Sequence, residues 1–148
     1  MTRNRVFTRV ASVALALSLV ARADAPSGRY SIAAGVVTDT ATGLAWQQGI
    51  SPSTMTWADA KTYCSSLSLN GATWRLPTIK ELVTIVDETK TSSPPIDTTA
   101  FPNTPSEDFW SSSPFAHVPS DAWAVSFANG YVTGSLVAGS TLRARCVQ

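Results

Sequence analysis

The chain has 148 residues, 11 basic and 10 acidic, and a formal charge of +1. Four of the basic residues, Arg3, Arg5, Arg9 and Arg22, fall in the first 23 positions, which hold no acid. Without that segment seven basic residues face ten acidic ones, a charge of −3, which argues against nucleic acid as a general partner.

Residues 10–21 (VASVALALSLVA) form an apolar run behind a basic start. The run has the length of a signal-peptide core and is short for a bilayer span. Ala21-Arg22-Ala23 and Ala23-Asp24-Ala25 both fit the small-residue cleavage pattern. Cleavage after Ala23 is preferred, because the later cut places Pro26 beside the scissile bond. The expectation is a signal peptide over residues 1–23 and one domain over 24–148, secreted, periplasmic or at the cell surface, with no membrane span after signal removal; an uncleaved anchor is the alternative. Five Trp, three Tyr and five Phe give that domain bulky core material.

After a short lead, residues 29–32 read as a first strand with Tyr30 and Ile32 on one face. Residues 36–38 and 44–47 read as a hairpin around the turn residues 39–43, with Leu44 and Trp46 facing the core. Thr56 and Asp59 cap a first helix. Trp57, Ala60, Tyr63, Cys64 and Leu67 make its apolar stripe, and Asn70-Gly71 ends it. Trp74-Arg75-Leu76-Pro77-Thr78 follows. Trp74 and Leu76 share a face of an extended piece, Pro77 biases Leu76 toward extended backbone, and Thr78 with Glu81 is a capping box. The second helix is predicted to reach about residue 87. Trp74, Arg75, Pro77 and Glu81 therefore mark a structural corner, with Arg75 expected to satisfy carbonyls or pair with an acid.

Residues 88–108 carry Pro94, Pro95, Pro102 and Pro105 among Thr, Ser and Asp and show no helix or strand period. A connection this long inside a small domain is functional or disordered; Ile96 and Phe101 are placed to pin it. Residues 109–112 resume as a strand, 113–121 read as a polar loop with the lone His117, and 122–127 alternate with Trp123, Val125 and Phe127 on one face. Asn129-Gly130 signals a type I′ turn into residues 131–133. Residues 134–140 read as a loop, and 142–147 as a last strand with Cys146 on the face of Leu142 and Ala144, and Arg143 and Arg145 opposite. Cys64 and Cys146 are the only cysteines. An even count in an exported chain suggests a disulfide tying the first helix to the last strand. The elements add up to an α+β domain: two helices on a mostly antiparallel sheet with a long loop region.

Several stretches resemble a known family. They are Gly35 to Asp39 with Thr42-Gly43-Leu44-Ala45-Trp46, Thr56-Trp57-Ala58-Asp59-Ala60 with Tyr63-Cys64, Trp74 to Thr78 with Glu81-Leu82, Phe109-Trp110-Ser111-Ser112, Ala122-Trp123 and Arg145-Cys146-Val147. Together they are similar to the Lcl C-terminal domain, a bacterial domain found at the end of collagen-like adhesins. The resemblance implies a C-type-lectin-like fold, a disulfide between first helix and final strand, and a long loop region carrying the ligand site. It also implies binding to sulfated glycosaminoglycans and trimerisation in the collagen-like members; this sequence has no Gly-X-Y stalk. The triplets with which sugar-binding lectins hold calcium and sugar are missing: Phe101-Pro102-Asn103 lacks the acidic ligand, and Trp123 is followed by Ala124-Val125.

No nucleophile elbow, phosphate loop or zinc spacing occurs, and His117 reads as a solvated loop residue. Asp87, Glu88, Asp97, Glu107, Asp108 and Asp121 gather around the loop. Such oxygen-rich groups hold calcium in other settings, but the EF-hand pattern is absent, so a solvated acidic rim is expected and neither metal nor cofactor is assigned. The ligand-binding candidates are Asp97, Asn103, Glu107, Asp108, Trp110, Asp121, Trp123, Arg143 and Arg145. The two tryptophans offer stacking faces and the two arginines a cationic pair for sulfate or carboxylate. The expectation is a non-catalytic binding domain for a glycan or other surface polymer. The alternatives are a protein-interaction or structural module of the cell envelope and, more distantly, an enzyme similar to the formylglycine-generating enzymes, which Arg75-Leu76-Pro77-Thr78 and Glu81 resemble. Those enzymes need a catalytic cysteine pair late in the chain, where only Cys146 stands.

Overall fold

The computed structural model describes residues 26–136 and 139–148; the segment read as a signal peptide lies outside the described residues. The elements run β1 (Tyr30–Ala33), β2 (Val36–Asp39), β3 (Ala45–Gln47), α1 (Trp57–Ser65), α2 (Ile79–Val83), β4 (Asp108–Phe115), β5 (Val118–Ser126) and β6 (Val132–Leu136). Instead of one sheet, the described residues form two antiparallel three-stranded sheets, ordered β1-β2-β3 and β4-β5-β6.

The predicted last strand takes a different form. Residues 142–147 run extended between the two sheets and make isolated bridges rather than a ladder: Leu142 to Met55, Arg143 to Phe109, and Val147 to both Trp46 and Arg75. Backbone donors from both sides reach it, Gln47 N to Cys146 O and Trp110 N to Arg143 O among them, each at 2.9 Å. The wedge closes toward its C-terminal end: Leu142 and Arg143 keep partial exposure, while Ala144, Arg145, Cys146 and Val147 are all fully buried.

The core divides around that wedge. One cluster joins Val37, Trp46, Leu82, Ile85, Ile96, Phe101, Phe109, Val125 and Phe127. The other joins Ala60, Cys64, Trp74, Leu76, Trp110, Ala122, Ala124 and Ala144. Strand β5 feeds both: Val125 enters the first, while Ala122 and Ala124 pack their small side chains into the second. Cys64 and Cys146 are joined by a disulfide, with both residues inaccessible to solvent. Gln47 braces the bridge from behind, taking Cys146 N on its Oε1 and donating from Nε2 to the Tyr63 hydroxyl.

Both helices start where capping chemistry puts them and stop early. Thr56 caps α1 by accepting from Asp59 N. Thr78 and Glu81 form the reciprocal box at α2. Helix α1 ends at Ser65, short of Asn70-Gly71, which instead make a turn with φ of +53° and +66°. Helix α2 ends at Val83, after which Thr84, Ile85 and Val86 bond three residues back, the tighter winding common at helix ends. That tightening carries Ile85 fully into the core beside Leu82.

Three further expectations change. Residues 113–121 are not a loop: β4 and β5 continue as one hairpin to Phe115 and Val118, with register shifts around Pro114, which has no N–H for a regular ladder. Strand β6 likewise extends to Leu136. Asn129-Gly130 is not a two-residue turn, because Ser126 N bonds Tyr131 O across a four-residue loop in which Gly130 alone has positive φ. Phe127 opens this loop while still tied to the neighbouring segment: its N–H donates to Glu107 O at 2.9 Å, and its ring is fully buried edge-on to Phe109 at 5.0 Å. Residues 88–107 do lack helix and strand, and Ile96 and Phe101 anchor them in the core.

Candidate functional site

The ionisable side chains divide into those committed to structure and those left at the surface. At the corner, Arg75 grips Glu81 with two parallel hydrogen bonds of 2.8 and 2.6 Å, while Glu81 also takes Thr78 N at 2.8 Å. The Arg75 bonds hold the Glu81 carboxyl down to about 2 against the opposing effect of burial. Arg75 also exchanges backbone bonds with Val147, and Pro77 O accepts from Ser112 N. Trp74 is buried, its Nε1 donating to Leu69 O at 3.0 Å. The corner is thus tied to β4 and to the C-terminal wedge.

Arg29 makes a similar fork on buried Asp39, at 3.2 and 2.8 Å. Burial pushes the Asp39 carboxyl up, but the Arg29 and Ala41 hydrogen bonds outweigh it and leave it below the usual range.

The candidate residues do not converge. Trp110 is fully buried and its Nε1 donates to Met55 O at 2.8 Å, so it offers no stacking face. Trp123 is half-buried; it packs against Phe115 at 5.1 Å between ring centroids and covers Gly134, where an added Cβ would lie 2.5 Å from the ring. Asp121 is buried next to Ser120. Asp97 closes a local turn by accepting from Thr99 N and Ala100 N. Asn103 is exposed at φ +57°.

Arg143 and Arg145 are not a surface pair. Arg143 is bound to Glu107 at 2.7 Å. Arg145 is inaccessible, lying over the rings of Phe101 and Phe109 at 4.7 and 5.7 Å. Its donors meet Gly49 O and Thr104 Oγ1, its Nη1 has no partner, and burial pushes its guanidinium down to about 9. Alternation along the last segment correctly separated Arg145 from Cys146; it could not show that a second sheet lies on the other side.

Glu107 and Asp108 do meet, lining a shallow cleft of about 320 Å³ with Thr54, Thr141 and Leu142. Among the described residues no three His, Cys, Asp or Glu side chains form a group that would hold a metal ion. Of the acidic residues around the loop, Glu107 and Asp108 line this cleft, Asp87 and Glu88 line another recess, and Asp97 closes its local turn.

A second groove of about 320 Å³ was not anticipated from sequence. It opens where the end of α2 and the start of the long loop meet the β5–β6 loop. Val86, Asp87, Glu88, Lys90 and Pro95 line it from the α2 and long-loop side, and Asn129, Gly130 and Tyr131 from the β5–β6 loop. Tyr131 is the most exposed large apolar side chain among the described residues, at 71%. The two sides are held close: a Cβ on Gly130 would come 2.9 Å from Val86 Cγ1, and Asp87 N bonds Pro95 O at 2.9 Å. One sign was present in the sequence, since Tyr131 directly follows the only Asn-Gly turn signal between two alternating runs.

No helix among the described residues is long and apolar enough to cross a membrane. The family whose model matches the chain is described as the Lcl C-terminal domain, and the match covers residues 35–148. No curated protein matches the chain.

Proposed function

The chain belongs to the Lcl C-terminal domain family, and from that premise we propose that it is an exported, non-catalytic binding domain of C-type-lectin-like type that recognises a glycan or other surface polymer. The groove beside Tyr131 carries this reading: a preformed recess that joins an exposed aromatic ring to several polar side chains, more polar than most small-molecule pockets and so suited to a hydroxyl-rich ligand. The C-type-lectin-like assignment is supported by the α+β elements, by the disulfide from α1 to the closing segment, and by the long loop that borders the groove. Export is supported by that disulfide and by the signal-like start of the sequence. The non-catalytic reading is supported by Cys146, which is bonded to Cys64 and buried and so not available for the late cysteine pair of a formylglycine-type enzyme.

The second reading, a protein-interaction or structural module of the envelope, is favoured by Val132. It is 45% exposed beside Tyr131 on β6, the outer strand of its sheet, and unpaired strand edges accept added strands. A glycan array on the disulfide-bonded domain, with and without chelator, separates the two. The expected result is binding that chelator leaves unchanged. Absence of binding to every glycan would leave the protein-interaction module.

A further inference from the structure

The groove's chemistry restricts its ligand further, and this step rests on the binding-domain reading above. The geometry points to an uncharged saccharide, its ring stacked on Tyr131 and its hydroxyls bonded by the flanking carboxylates and the Asn129 amide. The Tyr131 ring has most of its surface in water, where a sugar's C–H face would remove apolar area on both partners. Around it stand groups that suit hydroxyls. Glu88 is exposed. Asn129 Oδ1 already accepts from Tyr131 N at 3.0 Å, which leaves the amide nitrogen to donate. Asp87 takes Thr89 N on Oδ1, while its enclosed Oδ2 has no hydrogen-bond partner. A donor brought to Oδ2 by a small shift of the side chain would relieve the cost of an unmet buried acceptor.

Charge decides between ligand classes. Asp87 and Glu88 face the groove against Lys90 alone, so a sulfated or phosphorylated polymer meets net repulsion at contact distance. That separates this chain from the glycosaminoglycan binding that its family likeness implies. Nucleic acid would stack equally well but brings phosphates to the same carboxylates. A stable protein interface needs about 800 Å² per partner with an apolar centre, and this groove presents one aromatic ring. Its volume of about 320 Å³ lies at the low end for small-molecule sites, which fits a short stretch of a longer chain bound from the side.

The test is a panel of uncharged oligosaccharides (glucose, mannose, galactose and N-acetylglucosamine oligomers) with heparin as the sulfated probe, applied to the disulfide-bonded protein and to Tyr131→Ala and Tyr131→Phe. Because Tyr131 is exposed, both variants should melt with the parent. The expected result is binding to at least one uncharged oligomer and not to heparin, weakened about tenfold by Tyr131→Ala and kept by Tyr131→Phe. Uncharged binding that survives Tyr131→Ala overturns this site and leaves the binding-domain reading standing. Binding to heparin alone overturns the ligand class. Binding to none of the panel removes both this inference and the saccharide reading beneath it.

Discussion

At the scale of single residues, two arginines show how differently the same side chain is used. Arg75 is half-exposed at 49%, and its fork on Glu81 is partly screened by water; such a pair contributes about 1 kcal/mol, somewhat more for bidentate geometry. Arg75→Ala should lower stability by about 1–2 kcal/mol in urea unfolding at pH 7 while saturating binding is unchanged. Loss of binding at an unchanged melting temperature would instead put the corner in the site. The pH dependence follows from Glu81. Its folded pKa of about 2 lies below its ordinary 4.5, so its stabilisation is complete above 4.5 and disappears as pH falls toward 2. Arg75→Ala should remove the larger part of that component of the acid transition, the Thr78 hydrogen bonds to Glu81 keeping the rest. Arg145 is the opposite case, a cation held by two rings and a hydroxyl with no carboxylate among its partners. Arg145→Met, which keeps the volume and drops the charge, should change stability by less than about 1 kcal/mol. Arg145→Ala, which leaves a cavity, should cost about 3 kcal/mol; equal losses in both variants would mean that the polar bonds matter more than the packing.

At the scale of elements, starts were easier to read than ends. Thr56 and Thr78 begin their helices because a capping side chain answers donors a few residues away, and such chemistry is written locally. Where α2 stops depends on Ile85 being drawn into a core assembled from distant strands, which no local pattern records. The inner halves of β4 and β5 are legible in the sequence, but their outer halves, around Pro114 and His117, resemble a loop; the pairing there is made by the partner strand, not by propensity. The β5–β6 loop is the element that shapes the groove. Gly130 sits at φ +81°, with space for a Cβ closed by Val86 at 2.9 Å. Gly130→Ala should cost about 1–2 kcal/mol and reduce any saccharide affinity as the loop lifts from Val86. A melting curve reads the first effect and titration with the best array ligand the second.

At the scale of the whole molecule, the C-terminal wedge and its disulfide decide how the two sheets are held. The bridge joins residues 82 positions apart, so the chain-entropy account gives it roughly 4–5 kcal/mol, an upper-end figure. The paired substitution Cys64→Ala with Cys146→Ala should lower the denaturant midpoint by a corresponding amount. Because both residues have no accessible surface, mild reductant should leave the native chain resistant to alkylation, and thiol labelling should require denaturant. Labelling of the native chain without reductant would mean that the thiols are free and would reopen the enzyme alternative.

The sequence by itself determined the family, the capped helix starts, the β2–β3 hairpin, the corner and the covalent partner of Cys64. Each of these depends on neighbours in the chain or on a residue type present only twice. Only the tertiary structure decided which faces see water. The alternation that set Arg143 and Arg145 against Cys146 is real, but the wedge lies between two sheets, and burial on both sides turned Arg145 into core and left Arg143 to Glu107. The groove beside Tyr131 came into being the same way, from the contact of Gly130 with Val86 across 44 positions of chain. Periodicity reports the direction of a side chain relative to its own backbone; what it meets there depends on segments far away in sequence.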